Sequence, residues 1–278
     1  MIIGSTSEPF LPPRNSKHPV ALTIAGSDPG GGAGLQADLK TFAALRVYGY
    51  SVITEVIAQN SFRVADVENV SPEMVEAQLD TLALECIPRA VKTGTLANAA
   101  IVKAVARAIE RLELPAPVVD PVIVSSSGAL LIGPKGERAI RKRLIPIARI
   151  VTPNIAEAEV LTRIRMDSDA AIREAAIKIF KLGARAVVIK GGHRKDNTSA
   201  TDLFYDGRRF IELKGPRIAG GGAHGTGCAF SAAIAAHLAR GASLEDAVRG
   251  AKRFVTAALK HSFKLGKGRA LLDHFARG

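Results

Sequence analysis

Short β-branched runs alternate with amphipathic stretches of roughly ten to twenty residues along almost the whole chain, the pattern of βαβ units on a parallel sheet. The runs at 20–24, 51–58, 90–93, 118–120, 149–152 and 186–190 read as strands. Each is brief and apolar, as a strand covered on both faces must be. Helices fill the intervals. Ser71-Pro72-Glu73 supplies a cap followed by proline in the first turn, Ser243-Leu244-Glu245-Asp246 resembles a capping box, and Gly183 and Gly241 serve as stops. Between 201 and 213 the period changes to that of an antiparallel hairpin, with Asp206-Gly207 suited to a tight turn of positive φ. The last element, about 244–263, is helical and follows another helix directly. The pattern predicts one α/β unit over 19–278 with a mostly parallel central sheet and an antiparallel edge hairpin. Residues 1–18, broken by Pro12 and Pro13, read as a loose arm.

Composition narrows the function classes. The 278 residues are 47% hydrophobic and 23% charged, an ordinary globular profile. Cys86 and Cys228 cannot build a disulfide framework or a zinc site, which fits a reducing, cytoplasmic setting. The longest stretch without charged residues, 218–239, carries five glycines and two histidines, which argues against a membrane span. An excess of 38 basic over 26 acidic side chains gives +12, a field that attracts polyanions. The cations are scattered and no aromatics are interleaved with them, so a groove for nucleic acid is not expected.

Candidate chemistry sits at the predicted strand ends. Ile218-Ala-Gly-Gly-Gly-Ala-His224-Gly225-Thr226-Gly227-Cys228 opens a small-residue helix, so several main-chain N–H groups and the positive end of a helix dipole share one space, a natural phosphate site. Cys228 falls in the first turn, where a lowered thiol pKa is expected. Gly220, Gly222 and Gly225 match G-x-G-x-x-G literally, but no second strand ending in an acidic residue follows, and the P-loop pattern occurs nowhere. A second glycine-rich turn, 25–34, leaves the first strand, with Asp28 available as a local cap and Asp38 on the helix beyond it. Gln59, Asp120, Asn154, Glu157 and Lys190 stand at or just past other strand ends, where open α/β sheets bind ligands. Asp120 and Glu157 are hard donors suited to Mg²⁺ through its waters, Asn154 adds a neutral contact, and Lys190 offers a point charge.

LTIAGSDPGGGAGLQADLKTF, TPNIAEAE, VVIKGGH, HGTGC and LGKGRALLDHF follow one another over about residues 20–275. Together they resemble the hydroxymethylpyrimidine/phosphomethylpyrimidine kinases of thiamine biosynthesis, a branch of the ribokinase-like fold. The resemblance implies a three-layer α/β/α fold. It also implies ATP- and Mg²⁺-dependent phosphorylation of 4-amino-5-hydroxymethyl-2-methylpyrimidine and then of its monophosphate, and a homodimer. By motif position it implies that Gly225, Thr226, Gly227 and Cys228 surround the transferring phosphoryl, with Cys228 where sugar-kinase relatives use an Asp base. Asp38, Gln59, Gly26, Ala33, Thr95 and Val122 would face the pyrimidine. Asp120 and Glu157 would lie at the metal, and Lys190, Asp202, Asn154 and Thr226 near the nucleotide. The chain departs from the family pattern at Thr95, Ser126, Gly222 and Ala223, which bears on substrate choice. Competing expectations are a pyridoxal kinase on the same framework and a non-catalytic nucleotide- or nucleic-acid-binding module.

Overall fold

The computed structural model describes residues 16–124, 130–191, 200–218 and 223–276. Most of the predicted arm, together with Ser126, His193 and the stretch Gly220 to Gly222, lies outside the described residues.

The strands are β1 (Val20–Ser27), β2 (Tyr48–Gln59), β3 (Val64–Asn69), β4 (Ala90–Thr93), β5 (Val118–Val119), β6 (Ile150–Val151), β7 (Val187–Ile189), β8 (Asp202–Tyr205) and β9 (Phe210–Leu213). They form one sheet in the order β3-β2-β1-β4-β5-β6-β7-β8-β9. The pairs from β2 through β7 are parallel, while β3, β8 and β9 pair antiparallel at the two edges. The helices are α1 (Gly34–Ala44), α2 (Pro72–Glu85), α3 (Ala99–Arg111), α4 (Pro134–Ala139), α5 (Ile155–Thr162), α6 (Asp169–Phe180), α7 (Thr226–Ala239) and α8 (Leu244–Lys260). Two separate cores result. Leu22, Ile24, Val52 and Val91 pack with α2 to α6 on one face, and Ala21, Val118 and Val188 pack with α1, α7 and α8 on the other. This is the expected three-layer arrangement.

The local signals work as read. Ser71 accepts a hydrogen bond from Met74 N at 3.2 Å and Ser243 from Asp246 N at 3.2 Å. Gly183 and Gly241 take φ values of 113° and 88° just past α6 and α7. Two expectations change. The β8–β9 connection is a four-residue loop rather than a tight two-residue turn. Only Gly207 takes positive φ there, and Asp206 Oδ1 accepts from the N–H groups of Arg208 and Arg209 at 2.9 Å. The edge strand β3 was not expected: every residue in it is exposed, so neither face has a hydrophobic period to reveal it.

Beyond α8 the chain returns to the carboxyl ends of the strands. Phe263 and Leu271 pair with each other, His224 N donates to Ala270 O at 2.8 Å, and Leu272 and His274 are buried. This strap holds the turn that leads into α7. Burial, aided by the charge of Lys40, lowers the His274 pKa to about 4. The folded state therefore refuses a proton that the unfolded chain accepts near pH 6.5. The stability His274 contributes is complete above that pH and is lost as pH falls toward 4. Thermal melts from pH 7 to pH 4.5 should show wild type losing stability faster than His274→Gln, by up to roughly 1 kcal/mol per pH unit. Parallel slopes would refute this.

Candidate active site

From β1 the chain runs to β2 on one side, and β4 lies on the other, so the carboxyl ends of β1 and β4 flank the topological switch point of the sheet. The turn after β1 is organised by Asp28. Its Oδ1 accepts from Gly30 N at 2.9 Å, and its Oδ2 from Gly32 N at 3.1 Å and Ala33 N at 2.8 Å. Gln36 accepts from Asp28 N and donates to Ser27 Oγ, both at 2.8 Å. Burial raises the Asp28 carboxyl, but hydrogen bonds from His224, the Ala33 and Gly30 amides and Gln59 outweigh it and hold the pKa below the usual range.

The second turn fits against the first. Gly225, at φ 80°, precedes α7, and a Cβ there would collide with the carbonyl of Gly32. A Cβ on Gly32 would in turn sit 2.7 Å from the His224 ring. Thr226 Oγ1 donates to Ala223 O at 2.7 Å, and the Cys228 sulfur takes a hydrogen bond from Gly34 N, the first residue of α1. The N-termini of α1 and α7 thus converge on one point, where their free N–H groups and dipoles favour an anion.

A buried charge cluster lies beneath. Asp38 Oδ2 accepts from Thr23 Oγ1 at 2.6 Å and from Lys92 Nζ at 2.7 Å, and both charged side chains are fully buried. Lys92, in the apolar run AVKT, was not anticipated. Its only sequence signal is a charge placed in a strand covered on both faces. The lowered Cys228 pKa expected from the helix start is not what forms. Desolvation pushes the thiol up to about 11, with Asp38 and Asp120 adding to the rise and Lys92 and the Gly34 amide opposing it.

Asp120 Oδ1 pairs with Lys190 Nζ at 2.9 Å, and its Oδ2 accepts from Ser231 Oγ at 3.3 Å. A Cβ on Gly227 would stand 3.0 Å from Lys190 Nζ and 3.6 Å from Asp120 Oδ2, so the pair adjoins the α7 turn. Glu157 forms a capping box with Asn154: Asn154 N donates to Oε2 at 2.8 Å and Glu157 N to Asn154 Oδ1 at 2.9 Å. Ile123 N reaches Glu157 Oε1 at 3.2 Å, just after Val122, which takes the strained φ of 44°. Burial raises the Glu157 pKa to about 7, Lys190 lowers it and Asp120 raises it further. Asp202 accepts from Gly191 N at 3.0 Å and pairs with Lys252 at 2.8 Å, joining the site only through the end of β7. Asp120 and Glu157 are hard oxygen donors of the kind that holds a hydrated magnesium ion through its waters. Among the described residues no group of three or more His, Cys, Asp or Glu assembles as a metal cage.

The ring-side candidates line the end of β2 and its neighbours. Gln59 ends β2 beside Asp28, Gly26 lies under Glu55, Ala33 caps α1, and the Thr95 carbonyl accepts from Thr54 Oγ1 at 2.7 Å. A cavity of about 720 Å³ lies elsewhere, lined by Ser16, Val20, Tyr48 and Cys86 at the opposite end of the sheet.

The family model of phosphomethylpyrimidine kinases matches residues 28–273. A hydroxymethylpyrimidine/phosphomethylpyrimidine kinase of Rhizobium meliloti is 47% identical over 93% of this chain and 97% of its own. The Staphylococcus aureus pyridoxal kinase solved with AMP-PCP and pyridoxal superposes with a TM-score of 0.85 at 36% identity, over 94% of this chain and 95% of that one. The phosphomethylpyrimidine kinase of Clostridium difficile gives 0.78 at 37% identity, over 87% and 99%.

Removing one member of a buried ion pair leaves the other charge stranded. Lys92→Met should cost roughly 3–5 kcal/mol, a fall of about 10 °C in Tm, and Lys92→Met with Asp38→Asn should recover part of it. A single-variant loss below about 1 kcal/mol by denaturant melts would show that the pair is not what holds α1 on β4.

Proposed function

The chain belongs to the phosphomethylpyrimidine kinase family, and we propose that it transfers the γ-phosphoryl of ATP, with Mg²⁺, to the hydroxymethyl oxygen of 4-amino-5-hydroxymethyl-2-methylpyrimidine and then to its monophosphate. It is a phosphotransferase of ribokinase-like fold. The observation that carries the reading is the convergence of the α1 and α7 N-termini beside Lys190.

In this reading the N–H groups of residues 225–228 gather around the migrating phosphoryl, where negative charge is densest in transit. The substrate oxygen bonds to γ-phosphorus as the bond to the β,γ-bridging oxygen breaks, ADP departs and the hydroxyl proton is released. Lys190 and Thr226 meet nucleotide oxygens. Asn154 and Asp202 act by shaping that edge, through the α5 cap and the Gly191 amide. Asp120 and Glu157 would hold a magnesium ion, which would supply positive charge against the phosphates. Gln59 reads the ring edge, Asp38 holds the alcohol, and Gly26, Ala33, Thr95 and Val122 shape the flat pocket. The same reading takes 19–278 as one kinase unit in the cytoplasm. It also takes the chain as a homodimer joined through the exposed edge at β3, where Phe62 is 68%, Val64 59% and Val67 45% exposed. Among the described residues no helix is long and apolar enough to cross a membrane.

Mass spectrometry of products from the pyrimidine alcohol and ATP should show one and then two phosphates added. Turnover of pyridoxal at a kcat/KM tenfold or more above the pyrimidine would overturn the substrate. Absence of ADP formation with either would overturn the kinase reading. With its thiol protonated at neutral pH, Cys228 acts by placing the alcohol, so Cys228→Ser should lower kcat about tenfold, short of the 10²–10⁴ of a true general base, and leave the Kd for ATP unchanged. An unaltered kcat would leave Cys228 a packing residue.

A further inference from the structure

Among the described residues, one buried carboxylate oxygen near the site, Glu55 Oε1, has no hydrogen-bond partner. Strands β1 and β2 run in register to Ala25 opposite Ile53, then slip so that Ser27 faces Val56. Thr54 and Glu55 together oppose Gly26, a bulge of the kind that re-aims side chains beside active sites. Thr54 spends its hydroxyl on the Thr95 carbonyl. Glu55 is only 5% exposed, and its Oε1 has no hydrogen-bond partner. It lies across the bare Cα of Gly26: a Cβ there would be 2.8 Å from Glu55 Cγ, 2.9 Å from Oε1 and 3.1 Å from Ile57 Cδ1. Burial raises the Glu55 pKa, and no cation or donor offsets it.

The neighbouring acids differ. Asp28, Asp38, Asp120, Glu157 and Asp202 each accept from an amide, a hydroxyl or a lysine, although Asp38 Oδ1, like Glu55 Oε1, has no partner of its own. A buried carboxyl without such help destabilises the fold, and its retention at a ligand-facing strand end marks a group satisfied by the ligand. Gly26 and Gln59, both on the ring side of the proposed pocket, bracket it along β1 and β2.

We propose that Glu55 is a specificity-determining residue for the flat heteroaromatic alcohol, its carboxyl hydrogen-bonding a polar ring atom or exocyclic group on the side away from Gln59. This rests on the small-molecule kinase reading above.

The test uses full-length wild type, Glu55→Ala and Glu55→Gln, with calorimetric binding of the pyrimidine alcohol and of pyridoxal, steady-state kinetics and melting. Glu55→Ala should raise Kd and KM for the bound ring alcohol about tenfold, leave KM for ATP unchanged and leave Tm equal to or above wild type. Glu55→Gln, which keeps hydrogen-bonding atoms in place, should recover part of the affinity. Ring-alcohol Kd within twofold of wild type in Glu55→Ala would overturn the proposal, as would a lowered Tm with unchanged affinity, which is the mark of a purely structural side chain. Wild type that phosphorylates pyridoxal alone would sink the pyrimidine assignment, while the Kd ratio for pyridoxal still decides Glu55. Wild type that binds neither ring would sink both.

Discussion

The contact of Gly225 with the carbonyl of Gly32 sets the geometry of everything at this end of the sheet. Any side chain at 225 would force the two turns apart, and at φ 80° any residue but glycine would also be strained. With the turns in contact, the first amides of α1 and α7 face one small volume, and Cys228 reaches the Gly34 amide. The remaining supports act on the same joint. Asp28 fixes the β1 turn through three amides, His224 stands over it, and the strap around Leu271 holds the backbone before Gly225. The small residues of α7 complete the arrangement. Alanines at 229, 232, 233, 235 and 236 are fully buried and let the helix lie close on β1, β4 and β5, which aims its first turn at the switch point.

Charge at the site is balanced locally, although the chain as a whole carries +12. Asp38 is matched by Lys92 and Asp120 by Lys190, so the acids beneath the anion-favouring turn do not repel a phosphate as free carboxylates would. Such pairs add little net stability, because desolvation cancels most of their attraction, but breaking one is costly. The first therefore fixes α1 against β4 and the second ties the end of β5 to the end of β7, while Ser231 of α7 donates to Asp120. The scattered surface cations contribute a long-range field that raises the local concentration of a polyanionic nucleotide.

Much of this was legible before the structure, for identifiable reasons. Apolar runs such as 187–189 announce themselves because a strand covered on both faces has no polar alternative, and glycine-rich turns at strand ends mark the crevice by the rules of parallel sheets. What escaped was information held by neighbours in space. β3 buries nothing and leaves no pattern, and Lys92 reads as a misplaced charge until Asp38 is seen fifty-four positions away in sequence. Glu55 stands out in the run 51–58 only once the slip at Gly26 is seen beside its burial. Gly26, assigned to the substrate from its motif, has an equally direct reason to be glycine in the carboxyl that lies across it.

The thiol of Cys228 shows why a local rule can fail. A helix N-terminus lowers a thiol's pKa only by the field of a few amides, and that field is worth far less than the hydration lost when the sulfur sits among Asp38, Asp120 and the backs of two glycine turns. One buried cation, Lys92, does not reverse the balance, because Asp38 already claims it. Raised in this way, the thiol favours its protonated form at neutral pH. Phosphoryl transfer through a loose transition state does not require a deprotonated thiol, since the alcohol becomes strongly acidic only once its bond to phosphorus has formed. The demand on the protein is then for exact placement of oxygen, phosphorus and amides, which side-chain-free turns pressed together supply and an exposed, charged thiolate would disturb.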